Sequence, residues 1–270
     1  MPIIDLPAGR CFYRFDGLED APVLMLSSSL GTDHRMWEPQ TPALMRRYRV
    51  LRYDTRGHGG TDAPAGPYAM AELGCDARDL LDALGVARAS FCGLSMGGMV
   101  GMWLAANAPD RVDRLMLCNT AALLGPPQRW DARIAAIRAG GMAAIASGVV
   151  AGWFTADYSA REPDVIAQMR ETLTNTPAEG YIACCEAVRD MDQRALLARI
   201  QAPTLVIAGA HDAATPPADG RALADAIAGA RYVELVAAHL SNIEAADAFT
   251  DAIIRFLTGA NDHDGSPERA

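Results

Sequence analysis

One stretch of the sequence decides the fold, namely Ala89-Ser90-Phe91-Cys92-Gly93-Leu94-Ser95-Met96-Gly97-Gly98. Its first four residues are small or apolar, as in a buried strand, and the residues after Ser95 favour a helix up to about position 106. Between the two lies the pattern Gly-x-Ser-x-Gly, in which small residues let neighbouring backbone pass close to a sharp turn. The turn places the Ser95 hydroxyl at a helix N-terminus, where developing negative charge is favoured, so Ser95 is the candidate nucleophile.

Outward from this turn, short apolar runs alternate with helical patterns such as residues 68–84. The runs that predict buried strands are residues 23–26, 50–53, 90–92, 115–117, 204–207 and 232–235. Strands that alternate with helices indicate a mostly parallel central sheet covered by helices on both faces. Together with the turn at Ser95, this pattern predicts an α/β-hydrolase fold.

The alternation stops after Thr120 and resumes at Pro203. The residues between them carry helical patterns and loops but no clear strand, which is typical of a helical segment inserted above the edge of a sheet. The predicted division is a core at 1–123 and 198–258, a helical cap at 124–197, and a polar, disordered tail at 259–270.

A serine hydroxyl is a weak nucleophile until a base removes its proton. The histidines of the chain are at positions 34, 58, 211, 239 and 263. In the α/β-hydrolase fold the order along the chain is serine, acid, histidine, so the base follows the last strand. His239 meets this condition, whereas His263 falls in the predicted tail. We therefore predict His239 as the general base.

The acid of such a site follows an earlier strand. The strand-like residues 204–207 lead into Asp212, which we expect at the same sheet edge as Ser95. Its carboxylate would hold the His239 ring in one tautomer and stabilise the imidazolium form. Taken alone, Asp212 could equally cap the helix that follows near Pro216, but its place in the chain order favours the catalytic role.

A tetrahedral intermediate needs two hydrogen-bond donors that are positioned in advance. One predicted donor is the backbone N–H of Met96, directly after the serine. The other is the backbone N–H of Leu30, in the loop Ser27-Ser28-Ser29-Leu30-Gly31-Thr32 after a strand. Many members of the fold carry His-Gly where this chain has Ser28-Ser29, so an ordinary polar turn is the alternative interpretation.

The charge balance excludes several classes of function. The formal net charge is −9, so no broad basic surface for nucleic acid is expected. The chain contains no lysine, which excludes Schiff-base catalysis.

Residues 139–156 carry no charge, but glycines and a serine make this stretch less apolar. We predict buried helical structure there rather than a membrane span.

The cysteines and the N-terminus indicate the compartment. Six cysteines are scattered without the spacing of a metal site, so we predict reduced thiols and no metal. The start Met1-Pro2-Ile3-Ile4-Asp5 lacks the basic and apolar regions of a signal peptide. These features predict a cytoplasmic protein without a membrane partner.

From about residue 12 to residue 257, the chain resembles the 3-oxoadipate enol-lactonases of the β-ketoadipate pathway. The distinctive segments are Ser27-Ser28-Ser29-Leu30-Gly31-Thr32, Thr176-Pro177-Ala178-Glu179-Gly180-Tyr181, Cys184-Cys185, Asp190-Met191-Asp192, Asp212-Ala213-Ala214-Thr215-Pro216-Pro217 and Ala238-His239-Leu240-Ser241-Asn242-Ile243-Glu244. The run Tyr53-Asp54-Thr55-Arg56-Gly57-His58-Gly59 is shared across the fold and carries less weight. Ser28 departs from the asparagine that the family favours, which could alter a hydrogen bond in the loop.

The resemblance implies a serine hydrolase that opens a small anionic lactone without a cofactor or a metal. Ser95 would attack the ring carbonyl, and the leaving enol would relax to the ketone. Water activated by His239 would then release 3-oxoadipate.

The substrate carboxylate needs a partner, because a buried anion is stable only beside a cation or several donors. A helix that begins the cap would place Trp130, Arg133 and Ile134 on one face. We predict that Trp130 packs against the lactone ring and that Arg133 pairs with the carboxylate, with Arg138 as second choice. Alternatively, Arg133 extends along the cap with its head in water.

Other functions remain compatible with the same triad. A carboxylesterase or a hydrolase of carbon–carbon bonds would differ in the cap pocket rather than in the triad. A ligand receptor built on this fold would keep the scaffold without turnover, and a complete predicted triad disfavours it.

Overall fold

An eight-stranded sheet lies at the centre of the structure, a computed structural model that describes residues 2–259. The strands are β1 Ile3–Leu6, β2 Gly9–Asp16, β3 Val23–Ser27, β4 Arg49–Tyr53, β5 Ala89–Leu94, β6 Val112–Cys118, β7 Thr204–Gly209 and β8 Arg231–Leu235. Their order in the sheet is β1-β2-β4-β3-β5-β6-β7-β8. The pairs β1–β2 and β2–β4 are antiparallel and the other pairs are parallel. The predicted mostly parallel sheet is confirmed.

All six predicted strands lie in this sheet, but β1 and β2 were not predicted. They form an antiparallel hairpin at one edge, in register from Ile3 opposite Phe12 to Leu6 opposite Gly9. Successive residues of β1 alternate between exposed and half-buried. A strand of four residues with one solvent-exposed face lacks the continuous apolar run by which buried strands are recognised in the sequence.

Helices connect and cover the strands. They are α1 Thr41–Leu44, α2 Met70–Ala83, α3 Met96–Asn107, α4 Pro127–Gly140, α5 Ala143–Ala151, α6 Ala156–Arg161, α7 Pro163–Thr174, α8 Ala178–Asp190, α9 Pro217–Ala226, α10 Ser241–Glu244 and α11 Ala246–Thr258. Helix α3 packs against β5, β6 and α2, which explains why it is apolar on nearly all sides. Helix α9 packs against β7, and α11 packs against β8.

The segment predicted as a cap, 124–197, contains α4 to α8 and no strand, and β7 begins at Thr204. The uncharged run at 139–156 is divided between the end of α4 and α5, with Gly141 between them at a φ of 70°. Within residues 2–259, none of the helices has both the length and the apolar character needed to cross a bilayer.

The C-terminal tail predicted for 259–270, with His263, lies outside the described residues except for Gly259. That glycine ends α11 in the left-handed conformation, with a φ of 71°.

The parallel strands bring the candidate site together. Because β3, β5, β6, β7 and β8 run in the same direction, the residues that follow them meet at one edge of the sheet. The loop after β3, Ser95, Asn119, Asp212 and His239 all occupy this position in the chain.

Candidate active site

Ser95 lies in the turn between β5 and α3 with φ 57° and ψ −117°. A non-glycine residue in such a conformation costs about 1–3 kcal/mol and needs support from its surroundings. The Ser95 N–H donates to the Cys118 carbonyl at 2.9 Å, and the Thr120 hydroxyl donates to the Ser95 carbonyl at 2.7 Å. These bonds from the end of β6 hold the turn and leave the Ser95 hydroxyl at the start of α3.

The glycines of the motif are required by close backbone contacts. A Cβ atom at Gly93 would lie 2.1 Å from the Gly97 carbonyl oxygen, and one at Gly97 would lie 2.1 Å from the Ser27 carbonyl oxygen. No side chain fits at those distances. The close passage expected from the sequence motif is therefore present on both sides of Ser95.

The structure brings the three predicted triad residues into one hydrogen-bonded chain. The Nε2 atom of His239 lies 2.9 Å from Ser95 Oγ, and its Nδ1 atom lies 2.8 Å from Asp212 Oδ2. All three residues are buried. With the ring proton on Nδ1, Nε2 is free to accept the serine proton, which is the arrangement that nucleophile activation requires.

Asp212 is held by donors on both carboxylate oxygens. Oδ2 accepts the Thr215 hydroxyl at 2.7 Å and the Asn119 amide at 3.0 Å, while Oδ1 accepts the backbone N–H groups of Ala214 at 2.8 Å and Thr215 at 3.0 Å. Burial opposes ionisation of this carboxyl. The His239 ring and these donors outweigh that effect and lower the pKa of Asp212 to about 2.

Asn119 is a site residue that the sequence analysis did not identify. It follows β6 with a positive φ of 45°. Besides Asp212, its amide N–H donates to the Ala238 carbonyl at 3.1 Å, and its carbonyl oxygen accepts the Ser241 hydroxyl at 2.6 Å. Asn119 thus joins the acid to the loop of the histidine. An asparagine at a strand end tolerates the left-handed region, and this was the available signal.

The loop after β3 carries Leu30, one of the two predicted oxyanion donors. Leu30 and Ser29 line the same pocket as Ser95 and His239. Among the hydrogen bonds of residues 2–259, neither the Leu30 N–H nor the Met96 N–H has an acceptor. The two predicted donors are therefore available to a ligand.

A buried histidine fixes this loop, and the sequence analysis gave it no role. The Gly31 N–H donates to His58 Nε2 at 2.9 Å, next to Leu30. Gly31 has a φ of 82°, and a Cβ there would lie 2.5 Å from the Leu173 side chain. Burial lowers the pKa of His58, which keeps the ring neutral and able to accept.

The triad faces a pocket of about 130 Å³. Its lining residues are Ser29, Leu30, Ser95, Leu124, Arg129, Trp130, Arg133, Gly148, Val149, Gly152, Trp153, Tyr181, Ala213, Ala214 and His239. This volume is below the ~300–1,000 Å³ of pockets that hold drug-sized ligands. The site is therefore sized for a small molecule.

Both predicted substrate-binding residues line this pocket from α4. Trp130 is buried, and its Nε1 donates to the Leu124 carbonyl at 2.9 Å. The Arg133 guanidinium lies 4.9 Å from the centroid of the Trp130 ring, and its Nη1 donates to the Tyr181 hydroxyl at 3.3 Å. Arg138, the second choice, is not part of the lining and faces Glu186 at 3.8 Å.

Within residues 2–259, one group of side chains outside the pocket has metal-ligand-type atoms close together. Single atoms of Asp33, His34 and Asp54 lie within 4.8 Å of one another. Arg35 binds both oxygens of Asp33, and Asp54 accepts the His34 Nδ1–H and N–H and the Gly60 N–H. The carboxylates are thus occupied by protein donors, and we assign no metal to them.

Comparison with known proteins decides the family. The family model described as the α/β-hydrolase fold matches residues 22–246. The chain belongs to the α/β-hydrolase family. The predicted fold class is confirmed by this match.

Individual relatives narrow the comparison within the α/β-hydrolase family. The chain is 42% identical over 241 residues to 3-oxoadipate enol-lactonase 2 of Acinetobacter baylyi, which covers 89% of this chain and 90% of the relative. It is 38% identical to enol-lactonase 1 of the same organism, with 90% and 91% covered. A Caulobacter protein that bears the name carbamate hydrolase RutD is 32% identical, and the match covers 89% of this chain and 92% of that protein.

A solved structure agrees with these relatives. The enol-lactonase of Burkholderia xenovorans superimposes with a TM-score of 0.94 at 52% identity and covers 95% of this chain and 100% of its own. The predicted resemblance to the enol-lactonases is confirmed, and this α/β-hydrolase is a hydrolytic enzyme.

Proposed function

We propose that this enzyme opens 3-oxoadipate enol-lactone to 3-oxoadipate, a step of aromatic-compound catabolism in the β-ketoadipate pathway. The observation that carries the proposal is the pocket in front of Ser95, which is small and has the guanidinium of Arg133 beside the indole of Trp130. A lactone ring with a free carboxylate matches that pairing of an apolar surface and a cation. The enol-lactonase relatives supply independent support.

The first half of the reaction forms an acyl-enzyme. His239 Nε2 takes the Ser95 proton as Oγ attacks the ring carbonyl, and Asp212 stabilises the resulting imidazolium. The backbone N–H groups of Leu30 and Met96 donate to the carbonyl oxygen as it becomes an oxyanion. The ring C–O bond then breaks, and the enol oxygen takes the proton from His239.

The second half releases the product. The enol relaxes to the ketone, which makes ring opening effectively irreversible because the better nucleophile has disappeared. His239 then removes a proton from water, the hydroxide attacks the acyl carbonyl, and the Ser95–acyl bond breaks as His239 returns the proton to Ser95 Oγ. The product leaves as a dicarboxylate, and the triad returns to its starting state.

We assign recognition of the substrate carboxylate to Arg133. Its guanidinium has no carboxylate partner within residues 2–259 and donates only to the Tyr181 hydroxyl, an uncharged acceptor. A cation in a partly dehydrated pocket without an anion is stabilised when a carboxylate binds. Helices α4 to α8, as a cap at 124–197, would hold this cation above the lactone while the sheet edge holds the triad.

Carbamate hydrolysis is a second candidate, because RutD proteins are 31–33% identical to this chain. The same triad can attack a carbamate carbonyl. The two candidates differ in what the pocket must hold, because a simple carbamate, unlike the lactone, has no ring to pack against Trp130. Substrate preference therefore separates them.

The decisive experiment compares wild type and Ser95→Ala on the enol-lactone, a neutral ester of similar size and a simple carbamate. We expect the lactone to have the highest kcat/KM. Ser95→Ala should lose on the order of a millionfold in kcat, because a triad nucleophile has no substitute. Circular dichroism shows whether the variant is folded.

A preference for the neutral ester would reassign the protein as a carboxylesterase, and a preference for the carbamate would favour the second candidate. Ligand binding without turnover of any of the three would identify a receptor on this fold. Lactonase activity retained by folded Ser95→Ala would show that another residue is the nucleophile.

A further inference from the structure

Helix α4 presents two arginines to the pocket. Arg129 and Arg133 are four residues apart, a spacing that places both side chains on one face of a helix, with Trp130 beside them. Arg129 is exposed and Arg133 is half-buried, so Arg129 lies nearer the mouth. The proposed function uses Arg133 and leaves Arg129 without a role.

Neither guanidinium has a salt-bridge partner within residues 2–259, although Asp131 lies on the same helix and Glu186 lies on α8. Asp131 is paired with Arg189 at 2.9 Å, on α8. Arg138, two turns after Asp131 on α4, faces Glu186 of α8. The acids of this region are thus engaged elsewhere, and the two cations that face the pocket are left together.

The nearest charges to Arg129 do not neutralise it. Partial desolvation at the pocket and the neighbouring Arg133 guanidinium lower the pKa of Arg129, and the Asp212 carboxylate opposes them only in part. Two like charges at one pocket repel each other, and a bound carboxylate relieves that repulsion. Two guanidinium groups that line the same pocket, neither of them in a salt bridge within residues 2–259, provide the charge that an anion site needs.

The negative charge of the whole molecule opposes the approach of an anionic substrate, so positive charge near the pocket favours its entry. The formal net charge is −9, so an anionic substrate is repelled at long range. Two arginines that line the pocket supply positive charge where the substrate enters. The field acts within about one Debye length, roughly 10 Å at 0.1 M salt.

We propose that Arg129 is a second anion-recognising residue, which captures acyl substrates bearing a carboxylate at the pocket mouth and acts together with Arg133. The substrate class is then esters and lactones whose acyl chain ends in a carboxylate, including half-esters of dicarboxylic acids. This inference rests on the proposed function in taking Ser95 as the nucleophile, but it does not require the enol-lactone to be the natural substrate.

The test uses two chromogenic esters of nearly equal shape, para-nitrophenyl hydrogen glutarate and para-nitrophenyl valerate. The first carries a carboxylate where the second ends in a methyl group. Wild type should prefer the anionic ester, and that preference should weaken as salt is raised. In Arg129→Ala the ratio of kcat/KM for the anionic over the neutral ester should fall about tenfold, mainly through KM.

Arg138→Ala is the matched control, because it removes the same charge from the same helix outside the pocket lining. It should keep the wild-type ratio and salt dependence. Arg133→Ala and the double variant show whether the two arginines act together, since contacts to one carboxylate give non-additive losses.

An unchanged ratio in Arg129→Ala, or a fall equal to that of Arg138→Ala, would overturn the proposal. So would an equal loss on both esters, which indicates a role in folding of the cap. A wild type that ignores the enol-lactone but prefers the anionic ester refutes the proposed function and leaves this inference standing, so the two failures are distinguishable.

Discussion

Asp212 remains charged in a buried site because both oxygens of its carboxylate accept hydrogen bonds. The Thr215 hydroxyl, the Asn119 amide and the His239 ring all converge on Oδ2. An asparagine at this position would keep the shape but present an amide N–H group to neighbouring donors. The His239 ring would then lose the partner that fixes its tautomer.

Asp212→Asn should therefore lower kcat roughly ten-thousandfold with the fold intact. Steady-state kinetics on the lactone and circular dichroism measure the two effects. Asp225→Asn, on the exposed side of α9, is the matched control and should resemble wild type. A near-normal rate in Asp212→Asn would place the acid elsewhere.

The same carboxyl makes stability depend on pH in a defined direction. Because its pKa is lowered from 3.8 to about 2, its stabilisation is present above the ordinary carboxyl pKa and is lost as pH falls toward 2. The free energy of unfolding of Asp212→Asn should be about 2 kcal/mol below wild type at neutral pH. The difference should shrink below about pH 4.

At the scale of residues, the sequence analysis predicts the side chains assigned to the reaction itself. It does not identify the side chains that hold them in place. Ser95, Asp212 and His239 are predicted as the triad because the fold imposes an order along the chain, and the structure joins the three side chains by hydrogen bonds. Asn119 acts through a hydrogen bond to Asp212, which is 93 positions away in the sequence. His58 acts through a hydrogen bond from Gly31, which is 27 positions away. No local pattern marks such contacts.

The loop of the histidine is held by the short helix α10 that follows it. The Glu244 carboxylate accepts the Ala238 N–H at 2.9 Å, the Thr155 N–H at 3.3 Å and the Thr155 hydroxyl. The Leu240 N–H also donates to the Trp153 carbonyl at 3.0 Å. The segment between α5 and α6 is thus bonded directly to Leu240 and Glu244, and Glu244 connects it to Ala238 on the other side of His239.

Glu244→Ala should lower kcat about tenfold or more with a smaller change in KM, because His239 loses its orientation while the pocket lining remains. Hydrogen bonds to a charged group contribute about 1.5–3 kcal/mol, so the melting temperature should also fall. Thr155→Val removes one donor and should have a smaller effect in the same direction. Kinetics and thermal unfolding measure both.

Asp247→Asn is the control for this change, because Asp247 is exposed at the start of α11. Wild-type kcat in Glu244→Ala would show that the loop of His239 is held by its other contacts. A loss of stability without a loss of kcat would limit Glu244 to attachment of the α5–α6 segment.

Elements differ in how clearly the sequence reveals them. The buried strands β3, β5, β6 and β7 stand out by their apolar runs because both of their faces are covered, whereas Arg52 interrupts the run of β4. The hairpin of β1 and β2 does not stand out, because β1 has only four residues with alternating exposure and charged residues interrupt β2. The boundary between α4 and α5 is also not sharp in the sequence, since small and apolar residues continue through the turn between them.

The core of the whole molecule encloses most of the thiols. Five of the six cysteines are buried, and Cys75 on α2 is partly exposed. Burial raises the pKa of Cys11 to about 12 and that of Cys185 to about 12. Only the thiolate reacts with disulfide reagents, so both the low thiolate fraction and the lack of access protect these groups.

Thiol titration therefore reports on opening of the core. Native protein with Ellman's reagent should show at most one fast thiol, Cys75, and all six should react in denaturant. The slow reaction of the others should follow the free energy of unfolding, because they become accessible only when the sheet and its covering helices separate. Cys75→Ser should remove the fast phase and leave the slow one unchanged. Several fast thiols in native Cys75→Ser would show that the helices open locally without unfolding of the sheet.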